Sequence, residues 1–272
     1  MAESTNLEEL ARRALAGERA AVASLVRALQ GDVYGLALRM LWHREDAEDA
    51  TQEILVRIVT RLSQYDFRSQ LKTWVFRVAT NYLLDVKKSP IERQRLTFAQ
   101  FGDDLARGLA EAGPADAESS LLTEEVKVGC TLAMLQCLDR EHRVAYVLGE
   151  ILELPAPDAA QVLEIEPPAF RKRLQRARES IESFTRAHCG LVSDAAACRC
   201  HRRVSAALEL GRVRPNALAF AQSPSSFVDA RQLVRRVEQA RRAFEVHRSC
   251  RPRSSDIDFA RRVVSALEPT HE

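Results

Sequence analysis

The sequence lacks any run of about 18 consecutive apolar residues, the length that a membrane-spanning helix needs. Its first residues, MAESTNLEELARR, are charged and do not form the apolar stretch of a secretory signal. We therefore expect a cytoplasmic protein with no membrane partner. In that compartment the six cysteines are not expected to form a disulfide framework.

Glycine and proline are also sparse, at 10 residues each in a chain of 272. This composition, with 46% hydrophobic residues, is typical of a mostly helical protein with buried cores. The sequence contains no glycine-rich phosphate loop and no acid/base or nucleophile constellation, so we do not expect an enzyme. The net charge of +2 is unevenly distributed, since residues 185–272 carry 16 arginines against 9 acidic residues.

Residues 153–178 have the pattern of a helix-turn-helix. Two groups of apolar residues at helical spacing are separated by only Glu164, Ile165 and Glu166. Pro167-Pro168 suits the first turn of the second helix, where an N–H group has no partner to lose. That helix is rich in arginine and lysine, which favours binding in a DNA major groove. The alternative is an amphipathic helix whose basic face is only solvated.

Residues 65–88 combine aromatic side chains with cations, as binding of single-stranded nucleic acid requires. A helix is expected from about Leu71 to Val86, with Trp74 in the core. Tyr65 and Asn81 are instead candidates for contact with bases. A further helix is expected to start with Asp46 as its cap, and its acids either compensate the helix dipole or form a partner surface.

Three stretches, DAEDATQEILVRI, TWVFRVATNYLLD and the helix-turn-helix, together resemble a bacterial RNA polymerase sigma factor of the extracytoplasmic-function (ECF) type, in the sigma-70 family. The resemblance covers about residues 25–184. It implies an all-α protein with two small helical domains, a flexible linker and a helical C-terminal extension. The implied boundaries are region 2 at 1–88, an acidic linker at 89–120, region 4 at 121–186 and the extension at 187–272.

The resemblance also implies a role for individual residues. The acidic helix is expected to dock on core RNA polymerase through Asp46, Glu48, Asp49, Gln52 and Glu53. The minus-ten DNA is expected to contact Tyr65, Lys72, Arg77, Asn81, Lys87 and Lys88. The minus-thirty-five DNA is expected to contact Arg171, Lys172, Arg173, Gln175 and Arg176. Promoter DNA, core polymerase and an anti-sigma factor are thus the expected partners. Glu164 departs from the family pattern, which usually has glycine in the turn.

The extension places Cys189, Cys198, Cys200 and His201 within a short span. These ligand types suit zinc or copper, although the protein is expected to require no cofactor. A thiol redox switch and inert cysteines are the alternatives. Cys130 and Cys137 are expected in the core, and a last helix is expected near residues 259–267.

The leading hypothesis is an initiation factor that directs polymerase to promoters and assists DNA melting, with metal or redox regulation through the extension. The alternatives are a helix-turn-helix regulator that works without polymerase and a thiol- or metal-dependent enzyme.

Overall fold

A computed structural model of the protein describes residues 2–86, 96–109, 117–221, 246–248, 250 and 254–267. Within these ranges the regular structure is helical, and the only β-type pairing is an isolated bridge between Cys189 and Cys198. The predicted all-α class is confirmed. No helix in the described ranges is both long enough and apolar enough to cross a membrane.

The helices are numbered in chain order. They are α1 (Ala2–Leu15), α2 (Arg19–Leu41), α3 (Arg44–Thr60), α4 (Leu71–Asp85), α5 (Phe98–Ala106), α6 (Ala117–Gln136), α7 (Arg140–Tyr146), α8 (Ala156–Val162), α9 (Pro167–His188), α10 (Val204–Glu209) and α11 (Phe259–Ala266). A π-helical turn, Val147–Ile151, continues α7. Short 3₁₀ turns lie at Leu62–Gln64 and Cys200–Arg203.

Contacts divide the chain into two compact units. The first comprises Met1–Ser89, Leu154–Phe170 and Ser254–Glu272, and the second comprises Pro90–Glu153 and Arg171–Arg253. This division differs from the predicted boundaries, because α8 and α11 are grouped with the N-terminal helices. Sequence periodicity identifies such helices but does not say which surface each one packs against.

In the first unit, α2, α3 and α4 surround a core of fully buried aliphatic side chains that includes Leu25, Ile54 and Leu71. The predicted cap of α3 is wrong: His43 is the N-cap residue and Asp46 lies in the first turn. There the carboxylate can still interact with the positive end of the helix dipole.

In the second unit, α5 occupies part of the predicted flexible linker. Thr97 and Gln100 form a capping box at its start, and Phe101 stacks on Phe184 of α9 with ring centroids 5.3 Å apart. The linker prediction is therefore wrong for residues 98–106, since its acidic composition concealed an apolar helix face. Residues 117–120 of the predicted linker belong to α6, so the prediction is wrong there too, and residues 89–95 and 110–116 lie outside the described residues.

The extension is anchored to α5 and α6 of the second unit by polar contacts. The Glu125 carboxylate on α6 is 3% exposed and accepts hydrogen bonds from the backbone N–H groups of Ala219, Phe220 and Ala221, at 2.7, 2.8 and 2.7 Å. Asp104 on α5 accepts two hydrogen bonds from Arg212, at 2.6 and 2.9 Å. Residues 187–221 are thus a packed part of this unit.

Candidate nucleic-acid interface

The five residues predicted to bind polymerase all lie on α3, and we call them the acidic face. Asp49 and Glu53 are exposed, whereas Asp46, Glu48 and Gln52 are half-buried. Glu53 accepts a hydrogen bond from Arg57 at 2.8 Å, one helical turn away. Glu48 accepts a hydrogen bond from Ser255 and Gln52 accepts one from Arg262, so this face is only partly open.

Tyr65 does not present its ring to solvent. It is 3% exposed, its hydroxyl donates to the carbonyl of Ser69 at 2.6 Å, and its ring lies 4.5 Å from that of Phe67 and 5.7 Å from that of Trp74. The expectation that Tyr65 itself stacks on a base is therefore corrected. Tyr65 supports the loop, and Phe67, half-buried with a φ of 59°, lies nearer its surface.

The other minus-ten candidates lie on α4. Lys72 is exposed and pairs with Asp32 at 2.9 Å, and Arg77 is half-buried. Asn81 is exposed, and its amide lies 3.5 Å from a carboxylate oxygen of Glu164. Lys87 and Lys88 lie outside the described residues. The face is basic and polar, which suits a nucleic-acid backbone.

The two predicted helices of the helix-turn-helix are present as α8 and α9. Ala159, Ala160, Val162 and Phe170 are buried at their junction. Glu164 in the turn adopts a φ of 52°, the left-handed conformation that favours glycine. Glu164 in place of glycine therefore destabilises the turn, because a Cβ atom in the left-handed conformation costs roughly 1–2 kcal/mol.

The basic residues of α9 separate into two groups. Arg171, Lys172 and Arg176 are exposed, and no ion pair is found for them among the described residues; we call these three the basic row. Arg173 instead pairs with Glu141 at 3.0 Å, and Gln175 donates to Glu179 at 2.9 Å.

Arg178 has a different environment from the basic row. It forms an ion pair with Glu150, whose carboxylate is 2% exposed. A buried carboxylate without its cation is strongly destabilising, so this arginine is structural. Sequence alone places it with its basic neighbours, because Glu150 is 28 positions away.

The sulfur of Cys130 interacts electrostatically with four others, those of Cys189, Cys198, Cys200 and Cys250. We call these five residues the thiol cluster. Burial, followed by the charges of the other four sulfurs, raises the pKa of Cys130 well above its ordinary value. Burial and then Cys189 raise the pKa of Cys198 to about 11. The thiols of Cys130 and Cys198 are therefore protonated at neutral pH.

The thiol cluster differs from the predicted metal site. Cys130 was expected to be an ordinary core residue, and Cys250 was not expected to contribute. Neither is near the other cysteines in sequence. For the predicted ligand His201, burial, and then the charge of Arg202, lowers the pKa. Among the residues described, no three Cys, His, Asp or Glu side chains converge as metal ligands do. Binding of zinc or copper at these residues therefore stays a prediction.

A helical unit with an acidic face and the polar helix α4, combined with a helix-turn-helix that carries an exposed basic row, is typical of a DNA-binding transcription protein. Comparison with known proteins identifies its family. The Sigma-70 region 2 model matches residues 25–89. CnrH, an RNA polymerase sigma factor of Cupriavidus metallidurans, is 32% identical over 180 residues, which are 64% of this chain and 92% of CnrH.

Two other relatives agree. The ECF sigma factor SigW of Bacillus subtilis is 28% identical over 62% of this chain and 91% of its own length. The ECF sigma factor SigE of Mycolicibacterium smegmatis is 30% identical over 63% of this chain, but the match spans only 65% of SigE. The chain belongs to the ECF-type RNA polymerase sigma factors of the sigma-70 family. The alternative of a regulator acting without polymerase is thereby displaced.

Proposed function

We propose that this sigma factor docks on core RNA polymerase through the acidic face and reads the minus-thirty-five DNA with the basic row. The polar side of α4, with Asn81, would bind the separated minus-ten strand. The protein would contribute binding energy and strand separation in the cytoplasm, with no catalytic step of its own. An anti-sigma factor is a further proposed partner.

The observation that carries this proposal is the exposure of the basic row beside arginines that are already paired. Arg173 and Arg178 are held by Glu141 and Glu150, whereas Arg171, Lys172 and Arg176 are exposed along the same helix. Cations that a structure leaves exposed can neutralise phosphates without breaking internal contacts, and a bidentate arginine–guanine contact adds roughly 1–3 kcal/mol of discrimination.

Run-off transcription with purified core polymerase tests the proposal. We expect the full chain to direct specific initiation, and Asp49→Ala to reduce binding to core polymerase. Glu45→Ala is the matched control, because Glu45 is an exposed acid in the first turn of the same helix but lies outside the acidic face. Equal losses from both variants would refute the assigned docking face. Absence of any specific transcript would refute the function.

We further propose that the thiol cluster makes the extension responsive to oxidants. An isolated bridge pairs the backbones of Cys189 and Cys198, and paired strands generally lie about 4.8 Å apart. Disulfides span Cα distances of roughly 4.4–6.8 Å. Hydrogen peroxide would therefore oxidise the two thiols to one disulfide, each sulfur giving up one hydrogen atom, and would itself be reduced to two molecules of water.

Alanine at Cys189, Cys198 and Cys200 tests this regulatory part. We expect these variants to lose any change in transcription caused by peroxide or by added zinc or copper. Cys137→Ala is the control, since the Cys137 thiol donates to the Ala133 carbonyl at 3.5 Å, lies outside the thiol cluster, and has its pKa raised by burial to about 12. A response that persists in the triple variant would refute thiol regulation while leaving the sigma function intact.

A further inference from the structure

The C-terminal segment 254–267 lies on the acidic face. Ser255 donates a hydrogen bond to Glu48 at 2.8 Å, and Arg262 donates one to Gln52 at 3.1 Å. Asp256 pairs with Arg44 at 3.2 Å, and Arg44 also pairs with Glu48 at 2.9 Å. Two of the five acidic-face residues are therefore direct partners of this segment.

Apolar contacts hold the same segment in place. Phe259, Ala260 and Val263 on α11 are 2%, 1% and 0% exposed, and the ring of Phe259 lies 6.4 Å from that of Tyr34 on α2. Asp258 caps the helix by accepting from the N–H of Arg261 at 3.0 Å. The segment contains a capped helix with one buried face, and it packs specifically against α2 and α3 within the first unit.

We propose that segment 254–267 is an internal competitor of core polymerase, which occupies the acidic face in the free protein and must leave before docking. This proposal rests on the proposed function of the acidic face. A polymerase surface that binds Glu48 and Gln52 cannot do so while Ser255 and Arg262 hold them. Since only the open fraction binds, the apparent affinity equals the intrinsic affinity multiplied by that fraction.

Two neighbouring arginines provide a charge-matched test. Arg262 contacts Gln52, whereas Arg261 is exposed and lies about 100° away around α11. We expect Arg262→Glu combined with Phe259→Ala to bind core polymerase at least tenfold more tightly than the natural chain. Arg261→Glu should leave the affinity within twofold. Equal affinity of the double variant and the natural chain would overturn the proposal.

Hydrogen exchange of the natural chain provides a second readout that needs no substitution. We expect the amides of α11 to be protected in the free protein and to exchange faster once core polymerase is bound. Protection that is unchanged in the complex would also overturn the proposal. If neither the natural chain nor the double variant binds polymerase, the docking role of the acidic face fails, and the competitor proposal fails with it. Tight binding by both with unchanged protection refutes the competitor proposal alone.

Discussion

One carboxylate on α6 accepts three hydrogen bonds from the extension, which makes a quantitative prediction possible. Glu125 accepts three backbone hydrogen bonds at 2.7–2.8 Å, from the consecutive residues 219–221. Hydrogen bonds to a charged group contribute about 1.5–3 kcal/mol each. Because bonds to one carboxylate are not independent, we expect Glu125→Ala to cost about 3–5 kcal/mol in local stability, less than their sum.

The measurement is hydrogen exchange of the amides of 219–221, since these are the donors. A loss of about 3–5 kcal/mol corresponds to exchange faster by roughly 10² to 4 × 10³, at 1.4 kcal/mol for each factor of ten. Glu125→Gln keeps one acceptor oxygen and should give an intermediate rate. Glu209→Gln, at an exposed position, is the control. Exchange within threefold of the natural rate in Glu125→Ala would refute the view that this carboxylate holds the extension.

Three further predictions concern DNA binding, the turn and the thiols. Replacing Arg171, Lys172 and Arg176 with alanine should make the affinity for minus-thirty-five DNA less dependent on salt. The slope of log affinity against log salt, measured by fluorescence anisotropy, should fall in magnitude by up to about 0.9 for each lost phosphate contact. The control Arg186→Ala, near the end of α9, should leave the slope unchanged. Glu164→Gly should raise the free energy of unfolding, measured in urea, by about 0.5–1 kcal/mol, because glycine has no Cβ atom to be strained at a φ of 52°. The control Glu166→Gly should not stabilise the protein. The pKa of Cys198 is about 11 in the folded protein against an ordinary 9.0, so its alkylation by iodoacetamide should become about tenfold faster per pH unit from pH 7 to 10. The stability of the fold should fall as the pH rises from 9 to 11, because the unfolded thiol loses its proton first. A pH-independent alkylation rate would contradict the raised pKa.

Helix periodicity predicted most of the described elements, including the last helix, which is observed at Phe259–Ala266. It failed where the outcome depends on partners distant in sequence. Tyr65 reads as a surface aromatic because its loop is polar, yet Trp74 and the Ser69 carbonyl bury it. Helix α5 was hidden by acidic composition, although Phe98 and Phe101 at i, i+3 spacing were a usable signal.

The candidate site shows the same division between local and distant determinants. The basic row and the acidic face follow from local sequence and from the family resemblance, whose family is confirmed. The separation of Arg178 from the basic row could not be predicted, since it requires Glu150 to be buried beside it. The thiol cluster likewise draws on positions 130 and 250, which are separated by most of the second unit's sequence.

The contacts of segment 254–267 also predict how strongly salt affects its displacement. Its ion pair with Arg44 and its bond to Gln52 are partly exposed, and such surface contacts contribute about 0–1 kcal/mol each. The buried side chains Phe259 and Val263 contribute more, at roughly 1.5–3 kcal/mol for each fully buried side chain. Salt should therefore weaken the closed state only slightly.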